Sequence, residues 1–250
     1  MLTILTLMAG KSDAFQEAGF QYPKNLVEIA GTPLAQHVLE GLSALDGPDT
    51  RVVCLVRRDE NRRFHTGRIL QLLRPSTVVV EVNGDTGGAA CTALLAIQHI
   101  ARDQPLLIVN GDIVIDYPLG AILDDFAARG LDGGVTAFRD VHPRWSFVRL
   151  DESGHAVEFA EKRPISNLAT TGFSWFARGE DFITSASAML AKDARVDGQF
   201  FIAPAYNELI LLHGRVGCHP IPKGAYHSLK TPHDVHVHEE HLLARRRECA

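Results

Sequence analysis

Leu2-Thr3-Ile4-Leu5-Thr6-Leu7, followed at once by Met8-Ala9-Gly10-Lys11-Ser12-Asp13-Ala14-Phe15, is the stretch on which the fold turns. The apolar opening predicts a short buried strand. A loop of small and polar residues directly after a first strand lies where open α/β sheets bind ligands, beyond the carboxyl ends of the strands. Gly10 lets the backbone come close to a phosphate, and Lys11 together with Lys24 of Tyr22-Pro23-Lys24-Asn25 brings positive charge. The same residues also read as an ordinary strand-to-helix connection with two solvated lysines. The loop is not a P-loop, because no Gly-Lys-Ser/Thr closes the required spacer. It is not G-x-G-x-x-G either, since Ser12 stands at the second glycine.

Outward from this loop, strand and helix alternate. Thr32-Pro33 is a helix start, with a cap residue and then proline, and the apolar spacing predicts a helix from Pro33 to Leu45. Strands follow at Arg51 to Val56, Thr77 to Val82 and Gln104 to Asn110, separated by helices over Asp59 to Leu73 and Ala89 to Ala101. That order predicts an α/β fold with a largely parallel sheet and helices on both sides. Beyond about residue 130 the strands shorten, at Gly133 to Phe138, Phe147 to Leu150, Ala156 to Phe159 and Thr170 to Ala177. Helices at Glu180 to Leu190 and Ala205 to Leu212, a strand at Val216 to Ile221 and a terminal helix from Pro232 to Arg247 complete the chain. No linker-like stretch or repeat interrupts it, so residues 1–250 read as one domain with halves at 1–130 and 131–250.

Bulk composition excludes several classes of function. Apolar residues make up 46% and charged residues 22%, with a net charge of −5, so no global basic field recruits nucleic acid or an acidic membrane. No apolar run approaches the roughly 18 residues of a membrane span, and the amino terminus lacks a basic leader. Cys54, Cys91, Cys218 and Cys249 are far apart without C-x-x-C pairing, which reads as reduced thiols in a cytoplasmic protein.

Four further features carry chemistry. Asp112 lies just past a buried strand, where a carboxylate can hold Mg²⁺ against nucleotide phosphates or simply cap a turn. A sugar-transferase D-x-D would need a second acid at 114, and Val114 is there instead. Gly84-Asp85-Thr86-Gly87-Gly88-Ala89 frees backbone groups to meet a flat base, though a tight connection looks the same. Glu161-Lys162-Arg163-Pro164 suits a phosphorylated acceptor, or is an exposed ion-pair cluster. His227, His233, His236, His238 and His241 offer helical pairs for a metal, but zinc wants ligands from separate elements, and the segment reads as a partly solvated helix tail. No G-x-S-x-G elbow is present.

Taken in order, these segments resemble the nucleotidyltransferases that make nucleoside-diphosphate sugars and related activated compounds. The nearest likeness is to the short members associated with capsule and surface polysaccharide. The resemblance runs from residue 1 to about 240. It is carried by Met8-Ala9-Gly10, Pro23-Lys24, Gly88 to Thr92, Asp112, Trp145 to Val148, Ala160 to Ser166, Phe200 to Asn207 and Thr231-Pro232-His233-Asp234.

This likeness implies a three-layer nucleotide-diphospho-sugar transferase (Rossmann-like) sandwich with a mixed, mostly parallel sheet. Residues 1–130 would bind nucleotide and 131–250 the acceptor. It implies that Met8, Ala9, Gly10, Lys11 and Ser12 cradle a triphosphate, that Lys24 neutralises its charge, and that Asn83 and Gly88 meet the base. Asp112 and Asp234 would be paired Mg²⁺ ligands. Glu161 and Lys162 would grip the acceptor, the lysine on its phosphate, with Gly172 and Asn207 lining that pocket. The partners would be a nucleoside triphosphate, from CTP or UTP, and a small phosphorylated acceptor; the likeness leaves room for a homodimer.

The departures are specific. The family loop reads Gly-x-Gly-x-Arg, whereas Ala14 stands at the arginine and Asp13 adds a like charge. Losing one strong phosphate donor costs on the order of 3 kcal/mol, about a hundredfold in rate. Asn25 replaces a common proline and Lys230 a common glycine before Thr-Pro. A non-catalytic binding homologue is therefore the alternative reading.

Overall fold

The computed structural model describes residues 1–248. Its first half runs β1 (Leu2–Met8), α1 (Asp13–Glu17), β2 (Glu28–Ile29), β3 (Thr32–Pro33), α2 (Leu34–Gly41), β4 (Thr50–Arg57), α3 (Arg58–Phe64), α4 (Thr66–Leu73) and β5 (Val78–Val82). It continues with α5 (Ala89–Leu94), β6 (Leu106–Asn110), β7 (Ile113–Ile115) and α6 (Leu119–Ala128). The second half runs β8 (Gly133–Arg139), β9 (Ser146–Leu150), β10 (Ala156–Glu161), β11 (Leu168–Phe176), α7 (Gly179–Ala191), α8 (Ala205–Leu211), β12 (Val216–Pro220), β13 (Tyr226–Ser228) and α9 (Pro232–Glu248).

β1 is the middle of a parallel set, pairing β4 on one side and β6 on the other, so that Leu5 lies between Val53 and Ile108. Side chains alternate across a strand, and here both faces are covered. Ile4, Val52 and Leu107 pack with Leu34, Val38 and Phe126 on one side, while Leu5, Val53 and Ile108 pack with Ala90, Ala93 and Phe182 on the other. The result is the expected three-layer α/β sandwich. β11 runs antiparallel to β6 and to β8, and β8 runs parallel to β12, so the sheet passes unbroken into the second half. Tyr206 locks that half: its hydroxyl donates to the Gly134 and Trp175 carbonyls, and its ring stacks on Phe176 at 4.5 Å. Because β1, β4, β5 and β6 are parallel, the segments after Met8, Arg57, Val82 and Asn110 all leave from one edge of the sheet.

Several local readings change. The helix read over Asp59 to Leu73 breaks at His65, whose φ of +55° ends α3 and starts α4. Thr32 does not cap α2; it sits in the β2–β3 ribbon, with its hydroxyl on the Ile29 carbonyl at 3.4 Å. α5 stops at Leu94, short of Ala101. α6 has no counterpart in the sequence reading, and neither has the β7–β13 ribbon, because three-residue strands pairing across more than a hundred positions leave no periodic signal.

The histidine segment differs in part. α9 is the partly solvated helix expected, but it packs Val235 and His238 inward, at 2% and 4% exposure, while His233 and His236 are exposed. Burial foremost, reinforced by His227, His37 and His241, pushes the His238 imidazole down to about 4. Among the described residues, no helix is long and apolar enough to cross a membrane.

Cys54 and Cys218 are buried and Cys91 is half-buried, while Cys249 lies outside the described residues. Burial pushes the Cys54 and Cys218 thiols each up to about 12. In a Cys249→Ser variant, a thiol reagent at pH 8 should modify only Cys91 in the native protein, with Cys54 and Cys218 reacting after denaturation. Rapid native labelling of Cys54 would contradict the packing of β4.

Candidate active site

The loop after β1 folds back onto the end of that strand. Asn25 Nδ2 donates to the Met8 carbonyl at 2.8 Å, and the Lys24 backbone N–H donates to Ser12 Oγ at 2.9 Å. These bonds turn Lys24 inward until its Nζ is 2.8 Å from Asp112 Oδ2, with side chains 7% and 14% exposed. Gly10 leaves room for the ammonium, since a Cβ there would lie 3.0 Å from Lys24 Nζ. Asp112 is fixed from the other side: its carbonyl accepts from Leu229 N–H at 2.8 Å, where the β7–β13 ribbon begins. Burial alone would push the Asp112 carboxyl up, but Lys24 and Lys230 outweigh it and hold the group below the ordinary carboxylate value.

Asp112 lies in the wall of a cavity of about 390 Å³ at the carboxyl edge of the parallel strands, with Lys24 bonded to it from behind. Ala9, Gly10, Lys11, Gly88 and Asp112 line it, as the sequence reading expected of a nucleotide site. Gly88 has an additional reason for being glycine. Its φ is +128°, and a Cβ would come within 2.5 Å of the Phe200 carbonyl oxygen, which accepts from Ala90 N–H at 3.0 Å. That close crossing brings Gln199 and Phe201 to the opposite wall.

Two cations escaped the sequence reading. Arg57, the last residue of β4, lines the cavity with its side chain 15% exposed, bonded to Asp85 at 2.9 Å and Asp59 at 3.2 Å. Lys11 reaches the same Asp85 at 2.7 Å. A position at the carboxyl end of a parallel strand was the available signal for Arg57. Lys230 also lines the cavity and acts on both Asp112 and Glu161; its departure from the family glycine was the signal there. Ala14, by contrast, is exposed on α1.

Other expected residues lie behind the cavity or beside it. Met8 is buried at 1% exposure, and it contributes its carbonyl to Asn25. Ser12 is buried; its hydroxyl donates to Glu60 Oε1 at 2.7 Å and accepts from Lys24, so it latches the loop. Asn83 is exposed, and Val82, Gly84, Asp85 and Thr86 line the wall around it.

Among the residues expected to hold an acceptor, Glu161 ends β10, is 9% exposed and accepts from Ser146 Oγ. Burial pushes its carboxyl up, against the opposing effects of Ser146 and Lys230. Lys162 stands at the rim, its Nζ 2.9 Å from Asp197 and 5.6 Å over the Phe201 ring. Gly172 sits at a bulge of β11 with φ +88°, where a Cβ would come within 2.2 Å of Asn110 Nδ2; its bareness lets the Asn110 amide stand in the cavity wall. Asn207 is tied to the backbone. Both ends of its amide are spent on the backbone of Phe159, at 2.8 and 2.9 Å, where the edge strand β10 has unpaired groups. It positions Glu161 from two residues upstream.

Asp112 and Asp234 line adjoining cavities and not a common one. Asp234 Oδ2 accepts from Ser228 Oγ and from Thr231 N–H, both at 3.1 Å, which makes it the acidic half of a capping box at the start of α9. Both carboxylates flank Tyr226.

The chain belongs to the nucleotidyl transferase family, whose model matches residues 5–197. It is similar to the bifunctional protein GlmU of Methanocaldococcus jannaschii, 26% identical over 214 residues that cover 78% of this chain and 48% of that protein. It is also similar to the mannose-1-phosphate guanylyltransferase catalytic subunit beta of Drosophila melanogaster, 25% identical over 69% of this chain and 47% of that protein. The chain thus spans about half the length of the curated relatives it matches. Among solved structures, the nucleoside-diphosphate-sugar pyrophosphorylase from Vibrio cholerae RC9 superposes with a TM-score of 0.81 at 25% identity, covering 95% of this chain and 98% of that one.

Removing either partner of the Lys24–Asp112 pair strands a buried charge, which costs on the order of 3 kcal/mol. Lys24→Met and Asp112→Asn should each lower stability by about that much, and the double variant should recover most of it, measured by urea unfolding. The carboxyl is lowered in the fold, so its contribution is complete above pH 3.8 and is lost as pH falls below that value. Additive losses in the double variant would show that the two groups are not coupled.

Proposed function

We propose that this chain transfers an NMP unit from CTP or UTP to a small phosphorylated acceptor, with release of pyrophosphate, as a step in making surface-glycan precursors. The single observation that carries the reading is Asp112, bonded to the buried Lys24, in the wall of a cavity lined by the cations Lys11, Arg57 and Lys230. In the reaction, an oxygen of the acceptor phosphate attacks the α-phosphorus in line. The bond from that phosphorus to the α–β bridging oxygen breaks, and pyrophosphate departs with the electron pair. The chain supplies position and positive charge, with no covalent enzyme intermediate.

Lys24 and Arg57 take the triphosphate charge, and Arg57 provides from β4 the guanidinium fork that Ala14 lacks. Gly88 and Ala89 present backbone to the base. Glu161 and Lys162, joined to Asp112 electrostatically through Lys230, hold the acceptor.

A hard oxygen donor facing the cavity suits Mg²⁺, which commonly binds through one carboxylate together with substrate phosphates. Asp112 fits that role. Asp234 would have to leave its cap to join it. When bound, the ion would add positive charge against the phosphates.

One observation favours the binding-protein alternative: Asp85 already occupies both Lys11 and Arg57, the cations a triphosphate needs. Pyrophosphate release, assayed with each NTP across a panel of phosphorylated acceptors, should be fastest with CTP or UTP and depend on acceptor and Mg²⁺. Arg57→Gln should raise the KM for the nucleotide about tenfold, and Asp112→Asn should lower turnover about a hundredfold. Equal background rates for wild type and Asp112→Asn, with acceptor binding but no Mg²⁺-dependent NTP binding by calorimetry, would favour the binder.

A further inference from the structure

On the ribbon that carries Asp112, three metal-ligand side chains from three separate elements converge. Asp116 follows β7, His227 is the middle residue of β13, and His241 lies on α9. One donor atom from each lies within 4.8 Å of the other two. The His227 and His241 rings are 4.8 Å apart between centroids, and the His238 ring, one helical turn before His241, is 4.7 Å from His227.

A second observation points independently to a ligand. His241 Nε2 and His238 Nδ1 are shielded from solvent and have no hydrogen-bond partner among the described residues. Such orphaned buried polar atoms are rare in native proteins, because each forfeits the free energy of desolvation. Asp116 is steered from behind by the Arg245 guanidinium on its Oδ2, the outer support that ligating carboxylates usually have.

We propose that Asp116, His227 and His241 bind a zinc-class divalent cation, with His238 as a fourth ligand. Imidazole nitrogens with a single carboxylate suit zinc and its late first-row neighbours, and they distinguish this site from Asp112, which has no imidazole beside it among its cavity's lining residues. Tetrahedral zinc at about 2.0–2.1 Å places its donors about 3.3 Å apart, so the observed set contracts by up to about 1.5 Å on binding, within reach of side-chain rotation.

The position gives the site a structural role. Asp116 directly follows β7, which begins next to Asp112, His227 directly precedes the Ser228-Leu229-Lys230 segment, and Leu229 N–H bonds the Asp112 carbonyl. The cation would clamp α9 onto the ribbon that holds Asp112 and Lys230 at the cavity.

The test uses the full chain without a histidine tag, stripped with chelator and titrated with Zn²⁺ by calorimetry and with Co²⁺ by visible absorption. One equivalent of Zn²⁺ should bind and raise Tm by about 5 °C, and Co²⁺ should give the intense bands of a tetrahedral site. His227→Asn and His241→Gln, each checked for native circular dichroism, should weaken binding at least about a hundredfold, while His236→Ala on the exposed face of α9 should leave it unchanged. Absence of stoichiometric binding by the wild-type chain, or binding unaltered in both ligand variants, would overturn the proposal.

Discussion

A buried ammonium–carboxylate pair, closed across 88 residues of sequence, is the constraint around which this molecule is arranged. Lys24 and Asp112 both come from the carboxyl edge of parallel strands, and neither charge is tolerable there without the other. Holding them together requires that the first loop fold back on β1, through Ser12 and Asn25, and that the segment after β6 be braced by Leu229. Those braces are structural, yet what they leave exposed to the cavity is chemical: a fixed carboxylate oxygen beside a fixed positive charge.

The remaining parts of the site follow from the sheet. Parallel strands β1, β4, β5 and β6 deliver Gly10, Arg57, Asp85 and Asp112 to one edge, and the antiparallel turn into β11 brings the second half of the chain alongside. The close crossing of Gly88 with Phe200, and of Gly172 with Asn110, joins the two halves where a nucleotide and an acceptor would meet. Lys230, acting on Asp112 and Glu161 together, is the electrostatic link between them.

What was legible in the sequence, and what was not, divides along physical lines. Strands such as Leu2 to Leu7 and Leu106 to Asn110 are apolar on both faces and announce themselves, and so does the alternation that makes the sandwich. Lys24 and Asp112 were found because each follows a strand at a position where the topology makes polar residues informative. Arg57 was missed because a strand-terminal arginine looks like solvated charge until Asp59 and Asp85 are seen around it. Asn207 was assigned to the acceptor pocket because residue type cannot reveal that both ends of its amide are taken up by Phe159. Asp234 was paired with Asp112 through the family resemblance, whereas its carboxylate closes a helix cap. The histidines were discounted because they were read as one helix segment without ligands from separate elements; His227 comes from a strand, and only the fold of β13 against α9 brings it to His241.

The central proposal is that a triphosphate lies along Lys11, Arg57 and the Lys24–Asp112 pair, with its base over Gly88. A crystal structure with Mg²⁺ and a non-hydrolysable CTP analogue addresses it directly. The account predicts that the α-phosphate will sit beside Lys24 and Asp112, with Asp85 displaced from Arg57. Nucleotide bound elsewhere, with Asp85 still holding Lys11 and Arg57 and solvent in the cavity, would contradict it.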